Sequence, residues 1–506
     1  MTDRPEQTPL PPIHPDEQEF SLAANRALAW GSEYLNKLDE RPVQARARQG
    51  DLLAQLPASP PMAPPSDPGQ EWDAIFRDMD ELIAPALTHW QSPSFFGFFP
   101  CNHSAPTIVA ELLSAMLNVN GMNWATGPAI TELEIRMLDW MGEAFGLPVC
   151  FRSDAPGGGG VIQSTASDAT LVALLAARHR ARRLRPDDDE IDTKLCIYTS
   201  TQAHSSVVKA AMIAGLARMP EDSRRLRLIE TDERLAMDPR VLGEAIRADR
   251  ESGLFPAFVS ATLGTTSSGA IDPLADIAGV VGEGDERPWL HADAAWAGAA
   301  LVCPEFRSEI GAGLDQADSL CVNPHKWLLT NFDCDLMWTR ARQDLIGALS
   351  ITPEYLRHES QDAGVVDFRD WQVPLGRRFR SLKLWFLLRR YGVEGLREHI
   401  RRHVTWAQEL ESLVRDDDRF EIAASRSLSL ICLRLRAGDE PTRSLLERVN
   451  ASGEAFLSHT TLPAPTGGSR YVIRVAIGGT LTERSHVQRL WALLRAETDR
   501  VLGSAP

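Results

Sequence analysis

Long hydrophobic runs are missing from this sequence, and its few cysteines show no paired spacing. The most apolar stretch, at 294–303, falls far short of the roughly 18 consecutive apolar residues that a membrane helix needs. The first residues, MTDRPEQTPLPP, lack the charged and then apolar pattern of an export signal. The seven cysteines include no C-x-x-C pair, which argues against a disulfide framework and a zinc site. We therefore expect a cytoplasmic protein with reduced cysteines and no bound metal.

Positively charged residues are also fewer than negatively charged ones. The 53 lysines and arginines are outnumbered by 69 aspartates and glutamates, which leaves a formal net charge of −16. Such a chain is repelled by phosphate backbones and by anionic lipid, so we expect neither a nucleic-acid partner nor a membrane partner. The remaining composition is that of a globular protein, with 43% hydrophobic and 24% charged residues in a chain of 506, enough for about three domains.

The N-terminal region has too little apolar content to fold alone. Apolar residues at helical spacing run from Phe20 to Leu38 and again from Trp72 to Ile83. Six prolines between Pro57 and Pro68 exclude a helix there and predict an extended connection. A region built of helix, strap and helix must pack on something larger, and a partner subunit is the natural candidate.

Short β-rich runs alternate with helical ones between residues 160 and 340. These runs are VIQS (161–164), KLCIY (194–198), LRLIE (226–230), FPAFVSATL (255–263), WLHAD (289–293), SLCVN (319–323) and CDLMWT (334–339). Strands that are apolar on both faces and separated by crossover helices predict an α/β fold with a mostly parallel sheet. A long helical pattern at 380–414 follows. After it, LSLICLRLR (428–436), RYVIRVAI (470–477) and a helix from about 482 predict a small α+β domain.

The first candidate site follows the glycine run at 157–160. The strand VIQS leads through Thr165 and Ala166 to Ser167, where a helix is predicted to begin. Free backbone N–H groups and the positive end of the helix dipole meet at such a point, which suits a phosphate. Ser167 could equally be a simple helix cap. The nucleotide patterns G-x-x-x-x-G-K-[ST] and G-x-G-x-x-G are both missing, so an anion other than a nucleotide is preferred.

Asp293 and Lys326 are the next candidates. Asp293 ends the strand WLHAD, at the edge where parallel sheets bind ligands. Burying a carboxylate there costs free energy unless it pairs with a cation or a protonated ring nitrogen. Lys326 lies between two apolar runs, and a buried lysine has a lowered pKa and becomes nucleophilic, as Schiff-base chemistry requires. For Lys326 alone, an ammonium group that reaches the surface is the simpler interpretation; together with Asp293 and the phosphate-type helix start, the chemical interpretation is favoured.

A nucleophilic lysine, a carboxylate and a phosphate-binding helix start are together what pyridoxal 5′-phosphate requires. The lysine bonds the aldehyde, the carboxylate pairs with the pyridinium nitrogen, and the helix start holds the phosphate. His204 also follows a strand, and its flat ring could stack on the cofactor. These residues predict a pyridoxal-phosphate enzyme.

Longer motifs extend from about residue 20 to residue 500. They are HWQSPSFFGFFP (89–100), PAITELE (128–134), VIQSTASDATLVALLAAR (161–178), QAHSSVVKA (202–210), ATLGTTSSGAID (261–272), WLHADAAWAG (289–298), CPEFR (303–307), NPHKWLLTNFDC (323–334), PLGRRFRSLKLW (374–385) and HVQRLW (486–491). In these motifs the chain resembles the group II pyridoxal-phosphate decarboxylases of the aromatic-L-amino-acid decarboxylase family. The resemblance implies fold type I and an obligate homodimer whose active sites are built from both subunits.

The resemblance also implies the domain organisation. Residues 1–104 would be an N-terminal helical segment that packs on the partner subunit. Residues 105–383 would form the large cofactor-binding α/β domain around a mostly parallel seven-stranded sheet, and residues 384–506 a small C-terminal α+β domain.

Residue roles carry over from the matching motifs. Lys326 would bond the cofactor, Asp293 would pair with its pyridine nitrogen, and His204 would stack on its ring and help to orient the substrate carboxylate. The other implied cofactor contacts are Ala166, Ser167 and Asn323 at the phosphate, and Thr266, Ala295 and His325 around the cofactor. Tyr355, in the loop TPEYLRHESQDAG (352–364), matches the catalytic tyrosine that protonates the α-carbon. Related aldehyde synthases often have Phe there, so Tyr355 favours plain decarboxylation.

Gly376 bears on the size of the substrate. At this position the family uses Gly for roomy pockets that take indole or catechol rings, and Ser for smaller rings or imidazole, so Gly376 favours tryptophan, tyrosine, dopa or phenylalanine. Aromatic walls would come from Trp90, Phe98 and Phe99, each of which could equally be core packing. The chain departs from the well-studied animal enzymes at Cys101, where a hydroxyl residue is usual, at Asn120, where an apolar residue is usual, at Met122, where Phe is usual, and at Trp296, where Tyr is usual. The preferred ring is therefore open.

Other functions remain as alternatives. Gly376 argues against a decarboxylase of histidine or of a non-aromatic amino acid, and Tyr355 argues against an aromatic acetaldehyde synthase. A catalytically idle protein of the same fold, kept for binding, is disfavoured by the intact Lys326, Asp293 and His204.

Overall fold

The computed structural model describes residues 17–62, 71–351, 365–464 and 467–503. They fall into two compact units, which take their residues from Met1–Phe95, Leu445–Phe456 and Leu481–Pro506, and from Phe96–Ser444 and Leu457–Thr480. The domain boundaries expected from the resemblance stay a prediction. Across these ranges, we find no helix with the length and apolar character needed to span a membrane.

Helices and strands alternate through most of the chain. The helices are α1 (Glu17–Asn36), α2 (Asp51–Gln55), α3 (Glu71–Asp78), α4 (Ala105–Leu117), α5 (Pro128–Phe145), α6 (Ala166–Leu184), α7 (Ile191–Lys194), α8 (Ser206–Ile213), α9 (Pro239–Glu251), α10 (Leu274–Val281), α11 (Arg307–Ile310), α12 (Pro324–Trp327), α13 (Arg342–Leu349), α14 (Ser381–Arg415), α15 (Asp439–Ser452) and α16 (Arg484–Gly503). The strands are β1 (Gly159–Gln163), β2 (Leu195–Ser200), β3 (Leu226–Ile229), β4 (Phe255–Thr262), β5 (Trp289–Asp293), β6 (Ser319–Val322), β7 (Asp335–Thr339), β8 (Phe420–Ser427), β9 (Leu430–Leu435), β10 (Ser458–Pro463) and β11 (Ser469–Ala476).

The larger unit is organised around a seven-stranded sheet in the order β1-β7-β6-β5-β4-β2-β3. Strand β7 runs antiparallel to β1 and β6, and the other neighbouring strands are parallel. This is the mostly parallel sheet that the alternating runs predict, and the predicted α/β fold is confirmed. Each predicted run in this region matches a strand to within two residues at either end.

Consecutive strand residues explain why these runs are apolar throughout. In β2, Ile197 and Tyr198 pack into two different hydrophobic clusters, and in β5 Trp289 and Leu290 do the same. Successive side chains of a strand point to opposite faces, so both faces of the sheet are covered. Helix α5 contributes to the cluster on one face, and helix α6 to the cluster on the other.

A second, antiparallel sheet has the strand order β10-β11-β9-β8. The sequence patterns predict β9 and β11 but miss β8 and β10. Strand β8 has three buried residues among eight, and β10, SHTTLP, is mostly polar. Neither presents the apolar run or the strict alternation by which a strand is detected in sequence.

The smaller unit contains the N-terminal helices. Of the residues in α1 only Ala23 is buried, while Phe20, Leu22 and Leu28 are exposed. In the proline-rich segment, residues 57–62 contain no helix, in agreement with the sequence. The poor burial of α1 agrees with a region that needs a further surface to pack against, although the packing on a partner subunit stays a prediction.

Candidate active site

Three of the predicted residues meet where the parallel strands end. Asp293 is the last residue of β5 and is 3% exposed, Lys326 lies in α12 just after β6, and His204 follows β2. Burial lowers the pKa of Lys326, and the neighbouring carboxylate of Asp293 opposes that shift. Burial also lowers the pKa of His204, and Asp293 again opposes the shift. An amine, a carboxylate and an imidazole are therefore close enough to interact at the carboxyl edge of the sheet.

Lys326 differs from Lys383, the other lysine that is removed from water in this unit. Burial lowers the pKa of both side chains. The Nζ atom of Lys383 donates hydrogen bonds to the carbonyl oxygens of Asn331 at 3.1 Å and Asp333 at 2.9 Å, and lies 3.1 Å from a carboxylate oxygen of Glu111. Within the described ranges, Nζ of Lys326 donates to no acceptor. Of these two buried amines, only that of Lys326 is thus without a partner in the described ranges.

The carboxylate of Asp293 is held in one orientation. Its Oδ1 atom accepts a hydrogen bond from the backbone N–H of Ala295 at 3.1 Å and contacts Sγ of Cys321 at 3.8 Å. The backbone N–H of Asn323 donates to the carbonyl oxygen of Ala295 at 2.9 Å, which ties the ends of β5 and β6 together. Oδ2 accepts no hydrogen bond from the described part of the chain, so it is free to accept one from a protonated ring nitrogen of a ligand.

Helix α6 begins beside this site. Its N-cap is Thr165 and not Ser167, because the backbone N–H and the hydroxyl of Thr165 both lie within hydrogen-bond distance of Oδ2 of Asp168, at 3.1 and 2.9 Å. Ser167 is exposed. The N–H groups of Ala166 and Ser167 have no acceptor among the described residues. The first N–H groups of a helix have no partner within the helix, so they can bind an anion.

The two predicted histidines have different environments. The His204 side chain is partly removed from water but keeps an exposed surface, and its Nδ1 atom accepts a hydrogen bond from the backbone N–H of Ser206 at 3.1 Å. In the neutral ring the proton therefore resides on Nε2. His325 is buried, and its Nδ1 atom lies 3.0 Å from the backbone nitrogen of Cys334 and 2.7 Å from the carbonyl oxygen. Burial lowers the pKa of His325 to about 3, so this ring is neutral.

Three further predicted residues, Cys101, Thr266 and Trp90, have different surroundings. Burial raises the pKa of the Cys101 thiol and the charge of Lys326 opposes the shift, so Cys101 is close to the lysine. Thr266 is exposed in the turn after β4. Trp90 belongs to the smaller unit, where its ring stacks on Phe95 with 4.7 Å between centroids.

The two predicted phenylalanines of the aromatic wall also differ. The ring of Phe99 is 9% exposed and packs in the core, with its centroid 4.7 Å from that of Trp296 and 5.3 Å from that of Trp327. Phe98 is half-exposed, and its backbone N–H donates to Oγ of Ser458 at 2.9 Å. Of these two rings, that of Phe98 is the one accessible to a ligand.

Asn120, Met122 and Gly376, which the resemblance predicts to contact the substrate, form a second group that we call the substrate wall after this predicted role. Oδ1 of Asn120 accepts a hydrogen bond from the backbone N–H of Arg377 at 3.0 Å, which places Asn120 beside Gly376. The carbonyl oxygen of Met122 accepts one from Arg369 at 3.0 Å. Asn120 and Gly376 are exposed on the surface of the single chain.

Two residues near Lys326 escaped the sequence patterns. Nδ2 of the buried Asn102 donates hydrogen bonds to the carbonyl oxygens of Lys326 and, at 2.8 Å, Gly478. Asp335 is fully buried, and neither of its carboxylate oxygens has a partner in the described ranges. Burial raises the pKa of Asp335 well above its usual value, and Lys326 opposes the shift. The sequence feature that could have identified Asp335 is that it is the one charged residue in the run CDLMWT.

The unpaired polar groups of this site match the groups of pyridoxal 5′-phosphate. Lys326 offers a free amine for the aldehyde, and Asp293 offers a free oxygen for the ring nitrogen. The first turn of α6 offers unpaired N–H groups for the phosphate. Oδ1 of Asn323, at the start of α12, is buried without a hydrogen-bond partner in the described chain, and it can only accept a hydrogen bond. The residues present therefore fit the cofactor. Tyr355 lies at 352–364, outside the described residues.

Known proteins match the chain over nearly its whole length. Residues 54–436 match the pyridoxal-dependent decarboxylase conserved domain. Tryptophan decarboxylase 2 of Oryza sativa subsp. japonica is 42% identical over 496 residues, which are 96% of this chain and 96% of that protein. Aromatic-L-amino-acid decarboxylase of Mus musculus is 42% identical over 500 residues, 96% of this chain and 100% of that protein.

Solved structures agree with these sequence matches. The structure of Oryza sativa TDC with PLP and tryptamine is 39% identical, with a TM-score of 0.91 over 97% of this chain and 99% of that one. The structure of Rhodiola rosea 4-hydroxyphenylacetaldehyde synthase is also 39% identical, with a TM-score of 0.87 over 97% of this chain and 99% of that one. Decarboxylases and an aldehyde synthase thus share this fold.

Proposed function

The chain belongs to the pyridoxal-dependent decarboxylases, and we propose that it converts aromatic L-amino acids of the tryptophan, tyrosine, dopa and phenylalanine class to arylalkylamines and CO₂. It is an amino-acid decarboxylase that depends on pyridoxal 5′-phosphate. The observation that carries the proposal is the unpaired amine of Lys326 beside Asp293 at the carboxyl edge of the sheet. The cytoplasmic location stays a prediction of the sequence.

Each residue at the sheet edge has a task that its geometry supports. When bound, the cofactor supplies an aldehyde that bonds an amine and a cationic ring that accepts the electron pair left as CO₂ departs. Lys326 provides the nucleophilic amine, because its lowered pKa keeps more of it unprotonated than an ordinary lysine. Asp293 keeps the ring nitrogen protonated by ion pairing. The N–H groups of Ala166 and Ser167 would bind the phosphate, and Asn323 would contribute to it only through its amide N–H.

Other residues act on the substrate. His204 presents an N–H at Nε2, which is a donor suited to the substrate carboxylate. Thr266, Ala295 and His325 line the cofactor, and Cys101, close to Lys326, lines the substrate side. Tyr355 delivers a proton to the α-carbon after CO₂ has left, a role that rests on the resemblance of its loop. Phe98 and the substrate wall line the side-chain pocket in this proposal. The contacts of Trp90 and Phe99 with the substrate rest on the resemblance alone.

The protein acts as a homodimer with active sites built from both subunits. This part of the proposal is supported by an apolar stripe on α4 that no described residue covers. The exposed fractions of its side chains are 44% for Val109, 36% for Leu112, 37% for Leu113, 47% for Met116 and 56% for Leu117. An apolar stripe of this kind on a helix is typical of a protein interface. Light scattering should give twice the chain mass, and Leu113→Glu with Leu117→Glu should shift the protein to monomers.

One incubation tests the reaction and its alternatives. Purified protein with pyridoxal 5′-phosphate is incubated with each of the twenty amino acids, and products are identified by mass spectrometry. Amines from aromatic amino acids support the proposal. An amine only from histidine or a non-aromatic amino acid, or aldehyde with peroxide in place of amine, would replace it with another function. Bound cofactor without any product would indicate a binding protein.

A second experiment tests the assignment of the lysine. Borohydride reduction of the holoenzyme converts a lysine–cofactor imine to a stable amine, and peptide mapping locates it. We expect the label on Lys326, with Lys383 as the matched internal control. Label on Lys383, or on neither, would contradict the proposed site.

A further inference from the structure

Two hydrogen bonds join the loop that carries Asn120 to the loop that carries Gly376. The backbone N–H of Arg377 donates to Oδ1 of Asn120 at 3.0 Å, and the backbone N–H of Gly121 donates to the carbonyl oxygen of Arg377 at 3.1 Å. The two loops are far apart in sequence, so these bonds set their spacing in the folded chain.

The side chain of Arg377 anchors this pair of loops to the core. Its guanidinium is buried and donates to Oε1 of Gln372 at 2.5 Å and to Oε1 of Glu134. The same Glu134 oxygen accepts a hydrogen bond from the backbone N–H of Ile162, in β1, at 2.8 Å. Buried charged groups with several partners hold their geometry closely, so the substrate wall is a rigid surface.

The hydrogen bond from Arg377 fixes which way the amide of Asn120 points. A backbone N–H is only a donor, so the atom that faces it must be the amide oxygen. Nδ2 therefore occupies the other position, and it has no acceptor among the described residues. A Cβ atom built on Gly376 would lie 3.8 Å from Nδ2, which is ordinary contact distance. The glycine thus leaves room for a ligand atom close to an unused donor.

We infer that Nδ2 of Asn120 donates a hydrogen bond to a ring oxygen of the substrate, so that the enzyme prefers aromatic amino acids that carry a ring hydroxyl. The inference rests on the proposed function and narrows its substrate class. A phenolic oxygen accepts from an amide N–H, whereas a phenyl ring offers no acceptor and an indole nitrogen is itself a donor. A site built around such a donor discriminates against the analogue that lacks the oxygen.

Two substrate pairs that differ by one oxygen test the inference in the holoenzyme. They are tyrosine with phenylalanine, and 5-hydroxytryptophan with tryptophan, and kcat/KM is measured for amine formation from each. Asn120→Asp keeps an oxygen for the N–H of Arg377 and replaces the donor by a second oxygen. The preference for the hydroxylated member should fall by about three- to tenfold, the usual worth of one hydrogen bond.

Asn118→Asp is the matched control, because it adds the same charge two residues away. Asn118 is exposed at the end of α4, and we expect this variant to keep the wild-type preference in both pairs. Asn120→Leu removes the donor without adding a charge and should lower the preference as well, with thermal unfolding used to confirm that it is folded.

The outcomes separate the two proposals. If amines form but Asn120→Asp keeps the wild-type preference, or Asn118→Asp lowers it equally, the inference about Asn120 is overturned and the proposed function stands. If wild-type protein forms no amine from any of the four substrates, the proposed function fails and the inference fails with it.

Discussion

The sheet edge around Lys326 and the substrate wall around Asn120 are built in opposite ways. Asp293 and Asp335 are almost completely buried, and burial shifts the pKa of Lys326 downwards and that of Asp335 upwards. Asn120 and Gly376 are exposed and carry no charge. The difference follows from the tasks proposed for them. Reactive groups gain from the removal of water, because it shifts their pKa values, whereas a selective surface must stay open to the side chains that it distinguishes.

The two regions also obtain their rigidity differently. The Lys326 region takes it from the ends of strands that are buried on both faces. The substrate wall lies on loops, and its rigidity comes from the buried Arg377–Glu134 pair beneath it. Loops that carry function are commonly held in this way by a rigid scaffold. Changes in the first region should therefore affect the reaction itself, and changes in the second should affect the choice of substrate.

Lys326→Ala should have the largest effect on the reaction. We expect turnover to fall by at least about a thousandfold, because among the described residues no second lysine interacts with Asp293 at the sheet edge. Cofactor absorbance and amine formation are measured together. Lys383→Met is the matched control, and it should lower the free energy of unfolding but retain the covalently bound cofactor. Near-native turnover of Lys326→Ala would contradict the assignment.

Asp293→Asn keeps the size of the side chain and removes its charge. It therefore tests the electrostatic role of this carboxylate at the sheet edge. Cofactor affinity and kcat should both fall, kcat by at least about tenfold, which corresponds to about 1.4 kcal/mol of barrier. The ratio of kcat/KM between different aromatic substrates should stay unchanged, because the wall is untouched. A smaller loss of rate would show that the carboxylate is not the partner of the ring nitrogen.

Tyr355→Phe tests a residue that belongs to neither described region. The variant keeps the ring and removes the proton, so the reaction should start but leave a carbanion that oxygen can intercept. The product should shift from amine towards aldehyde, ammonia and peroxide. Amine, aldehyde and peroxide are quantified under air, with reactions under nitrogen as the control. An unchanged amine yield at an unchanged rate would mean that another group delivers the proton.

The smallest expected effect concerns the buried histidines of α14, which pack next to Trp327. Trp327 donates through Nε1 to Nδ1 of His403 at 2.9 Å, and the rings of His403 and His399 lie 4.3 Å apart. Burial lowers the pKa of His399 to about 3. The folded state therefore keeps this ring neutral while the unfolded chain takes up a proton below about pH 6.5, so stability is lost as pH falls.

His399→Leu should remove this part of the pH dependence. Between pH 7 and pH 5 the free energy of unfolding should fall by about 2 kcal/mol less in the variant than in the wild type, as measured by denaturant titration. His459→Gln, at an exposed histidine, is the control and should follow the wild type. Equal pH dependence in His399→Leu and wild type would show that His399 is not buried neutral in solution.

Much of the fold could be predicted from sequence because its signals are local. The run WLHAD predicts β5 to the residue, and the helical pattern at 380–414 predicts α14 to within one residue. Strand β10 was missed because it is polar and pairs only along one edge, with β11. The sequence allows Ser167 as the cap of α6, as an alternative to a ligand role, but Thr165 occupies that position and its backbone N–H and hydroxyl pair with Asp168.

Local sequence is enough to place Lys326, Asp293 and His204 together, because strand ends and helix starts are recognisable from neighbouring residues and parallel strands bring those ends to one edge of the sheet. The chemistry assigned to these residues stays a prediction. Tertiary packing is needed to know that Asn120 lies against Gly376, that Glu134 pairs with Arg377 beneath them, and that Phe99 packs against Trp296 and Trp327. These residues are separated by up to hundreds of positions along the chain. Contacts at that range depend on how the elements pack, and no local pattern of hydrophobicity or turn residues specifies them.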